Sequence, residues 1–84
     1  MKPIRLSSHA ENYISKRGFS IAEVIETISS SEWQQLENNR LECKKDFVYN
    51  EQWNNRFYKI KQVRPVFVEE ENEIVVITVY TYYF

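Results

Sequence analysis

Glycine occurs once in these 84 residues, at Gly18, and a single glycine excludes a glycine-rich loop that cradles phosphates. Histidine also occurs once, at His9, which excludes a multi-histidine metal centre and a histidine pair for acid and base work. The one cysteine, Cys43, can neither close a disulfide within the chain nor build a cysteine zinc site. It is expected as a buried strand residue in a protein of a reducing cytoplasm. Met1-Lys2-Pro3-Ile4-Arg5-Leu6 lacks the apolar run of a secretion signal, and no stretch approaches the roughly 20 apolar residues of a membrane span. The expectation is a soluble, cytoplasmic protein with no membrane partner, working without metal or organic cofactor.

Aromatic residues are plentiful: six Tyr, five Phe and two Trp, within an apolar share of 43%. With one Gly and two Pro there is little material for linkers, so residues 1–84 read as a single domain. A chain of this size buries roughly 60 to 65% of the surface its unfolded form exposes, enough for one core. The formal net charge of −1 argues neither for nor against a polyanionic partner. Its distribution is more informative. Residues 40–64 hold Arg40, Lys44, Lys45, Arg56, Lys59, Lys61 and Arg64 against Glu42, Asp46 and Glu51, whereas residues 65–84 hold four acids and no base. A local excess of bases suits an anion-binding sheet face, and lysines also protect strand edges from unwanted pairing.

Two capping boxes, Ser8-x-x-Glu11 and Ser20-x-x-Glu23, flank a stop at Lys16-Arg17-Gly18. They predict two short helices, about 8–17 and 21–30. The first presents Ala10, Tyr13, Ile14 and Arg17 on one face, and the second Ile21, Val24, Ile25 and Ile28. Phe19 is placed as a hydrophobic staple against Val24. Ser29 to Asn39 reads as a connection with room for a short strand around Trp33 to Leu36, Trp33 anchoring it to the core. From Arg40 the period becomes two, predicting a strand through Tyr49, a turn over Asn50 to Asn55, and a second strand in which Tyr58 and Ile60 alternate with Lys59 and Lys61. Pro65 should interrupt pairing before Val66-Phe67-Val68. After an acidic turn at 69–73 the run Ile74 to Phe84 is uniformly apolar and is expected as the central strand, covered by the helices on one face.

The spacing of residues gives no standard catalytic signature. Cys43 and His9 fall on different elements with no orienting Asp or Asn, and the acids of 69–73 read as solvated surface rather than a glycosidase pair. The remaining chemistry is ribonucleolytic. Attack of an RNA 2′-hydroxyl on its own phosphate needs a base, a cation near the phosphate and an acid for the leaving oxygen, and His, Lys, Arg and Tyr share these roles without a metal. The candidates for catalysis are His9, Arg56, Lys61 and Tyr80; those for holding RNA are Arg17, Lys45, Lys59 and Arg64, with Tyr82 and Tyr83 able to stack nucleotides. His9 at the head of a helix is favoured as neutral imidazole, and it also fills a structural place there.

The pattern Ser8-His9-Ala10-x-x-Tyr13-Ile14-x-x-Arg17-Gly18-Phe19-Ser20-x-x-Glu23-Val24, closed by Val75-Val76-Ile77-Thr78-Val79-Tyr80, resembles the DUF4258 family over nearly the whole chain. The resemblance implies an α+β fold like that of the RelE/ParE and BrnT toxins: two short N-terminal helices packed on an antiparallel sheet of three to four strands. It further implies a bacterial toxin that acts as a metal-independent endoribonuclease on mRNA and is held by an antitoxin protein. His9, Arg17, Arg56 and Tyr80 match the family pattern by position. The slightly acidic charge and the long apolar last strand keep an alternative open, a noncatalytic protein-interaction module or regulatory homodimer of the same fold.

Overall fold

A computed structural model describes residues 1–84 as three short helices and a six-stranded sheet. The elements run β1 (Ile4–Leu6), α1 (Ser8–Asn12), α2 (Ile14–Arg17), α3 (Ile21–Ser30), β2 (Gln34–Gln35), β3 (Leu41–Glu42), β4 (Lys45–Trp53), β5 (Arg56–Glu69) and β6 (Ile74–Tyr83). The chain is therefore α+β, with a sheet larger than the three to four strands expected. Strand order is β1-β6-β5-β3-β2, and β4 pairs with the other half of β5. No helix is long and apolar enough to cross a membrane.

Two expectations about the sheet need correction. It is not purely antiparallel, because β1 runs parallel to β6 with Ile4, Arg5 and Leu6 opposite Ile74, Val75 and Val76. Three residues are too few to show a period, so this strand had no signal in the sequence. The central strand is β5 rather than β6: its 14 residues pair with β6 on one side and with β3 and β4 on the other. The region expected to be one turn, Asn50 to Asn55, is mostly strand. Asn50, at φ 49°, marks a bulge in β4, and only Asn54 and Asn55, at φ 51° and 65°, form the hairpin turn to β5. Positive φ at both central residues is what a type I′ turn needs, and Asn tolerates it. Asn38 and Asn39 repeat the device, at 60° and 59°, between β2 and β3.

Helix ends follow local hydrogen bonding. Ser20 and Glu23 form the full capping box of α3, the serine hydroxyl accepting from the Glu23 amide at 3.1 Å and the Ser20 amide donating to Oε1 at 2.9 Å. The first box does not form. Ser7, not Ser8, caps α1 by accepting from the Ala10 amide at 3.1 Å, and its hydroxyl donates onward to the Ile77 carbonyl at 3.0 Å. That carbonyl lies at a bulge in β6, so one serine satisfies a helix start and a strand irregularity together. The helix expected over 8–17 is broken at Tyr13 into α1 and α2, and Gly18 ends it in the left-handed conformation at φ 75°.

The helices cover one face of the sheet. Leu6, Ala10, Phe19, Val24, Ile28, Val63, Phe67, Ile74, Val76 and Val79 form the core, with Cys43 at its border. Ile21 and Ile25, expected on the buried stripe of α3, are largely exposed, and Thr27 takes their place by bonding its hydroxyl to the Glu23 carbonyl. Trp33 anchors the connection as expected, donating from Nε1 to the Ile28 carbonyl at 2.9 Å and meeting Phe67 edge-on at 5.1 Å.

Candidate nucleic-acid interface on the open sheet face

Alternation along β5 sorts the candidate residues between two faces. Lys61, Val63 and Phe67 are buried beneath the helices, so Gln62 and Arg64 point to the opposite, open face. On β6, Thr81 and Tyr83 reach the Arg17 carbonyl under the helices, and Tyr80 and Tyr82 stand on the open face beside Arg64.

The helix face is a closed network. Lys61 Nζ donates to the Gly18 carbonyl at 2.9 Å and lies 2.8 Å from the Glu23 carboxylate. Tyr83 packs over it, stacked on Trp53 at 5.1 Å and tilted against Tyr49 and Tyr58 at 5.3 and 5.6 Å. Burial first, and the neighbouring Tyr49 second, push the Tyr83 phenol up to about 12. Burial likewise raises the Cys43 thiol to about 11, and its sulfur points at the Thr27 carbonyl. A phenol and a thiol held neutral in this way serve packing rather than proton transfer at neutral pH.

A row of aromatic rings and cations runs from the helix layer around the free edge of β6 onto the open face. The Arg17 guanidinium lies between two rings, 4.0 Å from the centre of Tyr13 and 5.1 Å from that of Tyr80. Its Nη1 donates to the Val79 carbonyl at 2.8 Å and to the Thr78 hydroxyl at 3.2 Å, which fixes the side chain along the edge of β6 where β1 has ended. His9 extends the row at its helix end, its ring 4.8 Å from that of Tyr13. Farther across the face, the Arg64 guanidinium lies 5.3 Å from the Tyr82 ring. Neither arginine forms an ion pair with an acid: the salt bridges of the molecule are Lys2–Glu69, Arg5–Glu73, Lys45–Glu26 and Lys61–Glu23. Two uncompensated guanidiniums framed by tyrosines can hold phosphates and stack bases.

The structure brings together His9, Arg17, Arg64, Tyr80 and Tyr82 from the candidate set, and adds Tyr13. It separates the others. Lys61 has its ammonium taken inside the domain by Gly18 and Glu23, and Lys45 pairs with Glu26 on the helix side at 3.5 Å. Arg56 and Lys59 are exposed at the hairpin end of β5, and Arg56 is about 26 Å along the strand from Arg64. Tyr13 gives no site signal in the sequence, because its helical spacing marks it for the core. No three His, Cys, Asp or Glu side chains are grouped to hold a metal ion.

No protein-family model, curated protein or solved structure matches the chain.

Proposed function

We propose that the open sheet face binds single-stranded RNA, and that the protein acts as a toxin-like, metal-independent endoribonuclease of a bacterial cytoplasm. The observation that carries this reading is the Arg17 guanidinium between Tyr13 and Tyr80, with Arg64 over Tyr82 on the same face and no acid paired to either arginine. The resemblance to the DUF4258 pattern, which includes His9, Arg17 and Tyr80, supports the same chemistry. In the reaction His9 removes the proton of the 2′-hydroxyl, whose oxygen forms a bond to the adjacent phosphorus. Arg17 stabilises the charge gathering on the phosphoryl oxygens, and the Tyr80 hydroxyl gives its proton to the departing 5′-oxygen. The products are a 2′,3′-cyclic phosphate and a free 5′-hydroxyl.

Induced expression in a bacterium, with total RNA followed over time, tests the proposal. Wild type should arrest growth and degrade RNA, and Tyr80→Phe and Arg17→Gln should relieve both. Arg56→Ala, far along β5, should not. Absence of arrest together with absence of RNA binding at low salt sinks the reading.

A second reading has its own observation. Val48, Ile60 and Phe84 form one apolar rank across β4, β5 and the residue after β6, with Val48 78% and Phe84 56% exposed. Such a patch suits an antitoxin or a second copy of the chain, as in a noncatalytic interaction module. Sedimentation at several concentrations tests self-association, and Val48→Lys should abolish it.

A further inference from the structure

At its far end from His9, the open face opens into a cavity of about 340 Å³ lined by Glu32, Gln34, Glu42, Cys43, Lys44 and Arg64. That volume falls in the range of small-molecule sites, about 300–1,000 Å³. Pro65 weakens the strand pairing beside it. Its carbonyl accepts from the Cys43 amide at 3.4 Å, and amide and carbonyl of a strand residue point the same way, so the donor it lacks would have faced the same neighbour. The ladder breaks there between β3 and β4, at Cys43 and Lys44, and both residues line the cavity.

Four of the lining side chains are charged, two of each sign, yet no salt bridge joins any two of them. Arg64 donates from Nη2 to Gln62 at 3.4 Å, and its Nε is buried without a partner. Opposite charges that share a cavity without pairing suit a neutral ligand that presents acceptors on one edge and donors on the next. Guanine has this arrangement. Its O6 and N7 accept from a guanidinium or ammonium, and its N1–H and 2-amino group donate to a carboxylate. Adenine offers an acceptor at N1, where guanine has a donor, and would leave the carboxylate facing a lone pair. Position agrees with chemistry, since the guanidinium of Arg64 lies against Tyr82 in the row described above.

We propose that this cavity is a guanine-selective base pocket, with Arg64 and Lys44 toward O6 and N7 and with Glu42 or Glu32 toward N1–H and the 2-amino group. The inference rests on the reading of the open face as an RNA site and adds base selectivity to it. The test compares fluorescence anisotropy of three labelled octamers at low salt: all uridine, the same with one guanosine, and the same with one adenosine. The wild-type protein should bind the guanosine octamer at least about fivefold tighter than the other two. Glu32→Gln/Glu42→Gln, which breaks no ion pair, should lose that gain, so that it binds the guanosine octamer no tighter than the all-uridine one. Equal binding of the three octamers, or a gain that survives in the double variant, overturns the pocket while leaving the RNA face standing. If no octamer binds, the RNA reading fails by itself, and titration with guanosine monophosphate judges the pocket through the Cys43 and Lys44 amide resonances. Shifts with guanosine but not adenosine monophosphate support it; no shift, or equal shifts with free glutamate, overturns it.

Discussion

Lys61 Nζ lies 2.8 Å from the Glu23 carboxylate, so that one ion pair ties the capping box of α3 to the middle of β5. Glu23 closes the helix start and receives the lysine at once, and the Gly18 carbonyl takes a further ammonium proton. Removing one partner strands the other charge, which costs about 3–5 kcal/mol in a fully buried pair and less where one partner keeps some solvent, as Glu23 does here. Lys61→Ala should therefore destabilise the protein by about 2–4 kcal/mol in urea unfolding. Glu23→Gln/Lys61→Met should recover part of that loss, and a double variant as unstable as the single one would refute the pairing argument.

Gly18 is fixed by two independent constraints. Its φ of 75° disfavours any Cβ, and a Cβ would meet Trp53 ring carbons at 2.8 Å and crowd the Tyr83 hydroxyl. Backbone strain and overpacking together predict a loss of about 2–4 kcal/mol for Gly18→Ala. Gly18→Ala in a Trp53→Ala background should cost less than in wild type, which a double-mutant cycle by urea unfolding measures.

The capping residues separate correct from incorrect local inference. Ser20→Ala and Ser7→Ala should each cost about 0.5–2 kcal/mol, because each hydroxyl accepts from a helical amide. Ser8→Ala should cost almost nothing. Thermal melts of the three variants check this, and a large effect at Ser8 would contradict the cap at Ser7.

Those serines show what the sequence could and could not tell. Ser20-x-x-Glu23 was legible because the box is a rule about four consecutive residues, and Gly18 and Trp33 were legible for similarly local reasons. Ser7 and Ser8 both stand at the first helix start, and the choice between them depends on the Ile77 carbonyl, seventy residues away. Lys61 was misplaced by parity. Alternation over 56–63 set it outward with Lys59, but the amides of Lys59 and Ile60 both donate to the Phe84 carbonyl, at 3.1 and 2.8 Å. That irregularity shifts the register of faces by one residue and turns Lys61 inward. At the site, the arginines and tyrosines were legible as a composition, and their grouping was not, since it needs α2, β5 and β6 in place.

Alkaline pH should unfold the protein for a reason visible in two side chains. Cys43 is raised from 9.0 to about 11 and Tyr83 from 10.0 to about 12, so between these values the folded state holds protons that the unfolded state has released. The unfolded state then binds fewer protons, and stability falls as pH rises. The contribution is fully present below pH 9 and is lost progressively toward pH 11 and 12. Melting temperatures measured from pH 7 to 11 should be flat to about 9 and then decline. Cys43→Ala should flatten the onset of the decline, and an onset unchanged in that variant would remove Cys43 from the account.

The open face makes a distinction between charge and stacking that salt can measure. For single strands the logarithm of the binding constant falls with the logarithm of salt concentration by about 0.7 for each phosphate neutralised. Arg17 offers its guanidinium as a cation beside the Tyr13 and Tyr80 rings, whereas Tyr82 offers a ring face. Arg17→Gln should weaken binding of an all-uridine octamer and reduce the salt slope by about 0.7. Tyr82→Ala should weaken it by about 1–3 kcal/mol at every salt concentration and leave the slope unchanged. Titrations at three salt concentrations for wild type and both variants give the slopes, and an unchanged slope in Arg17→Gln would show that its charge does not meet a phosphate.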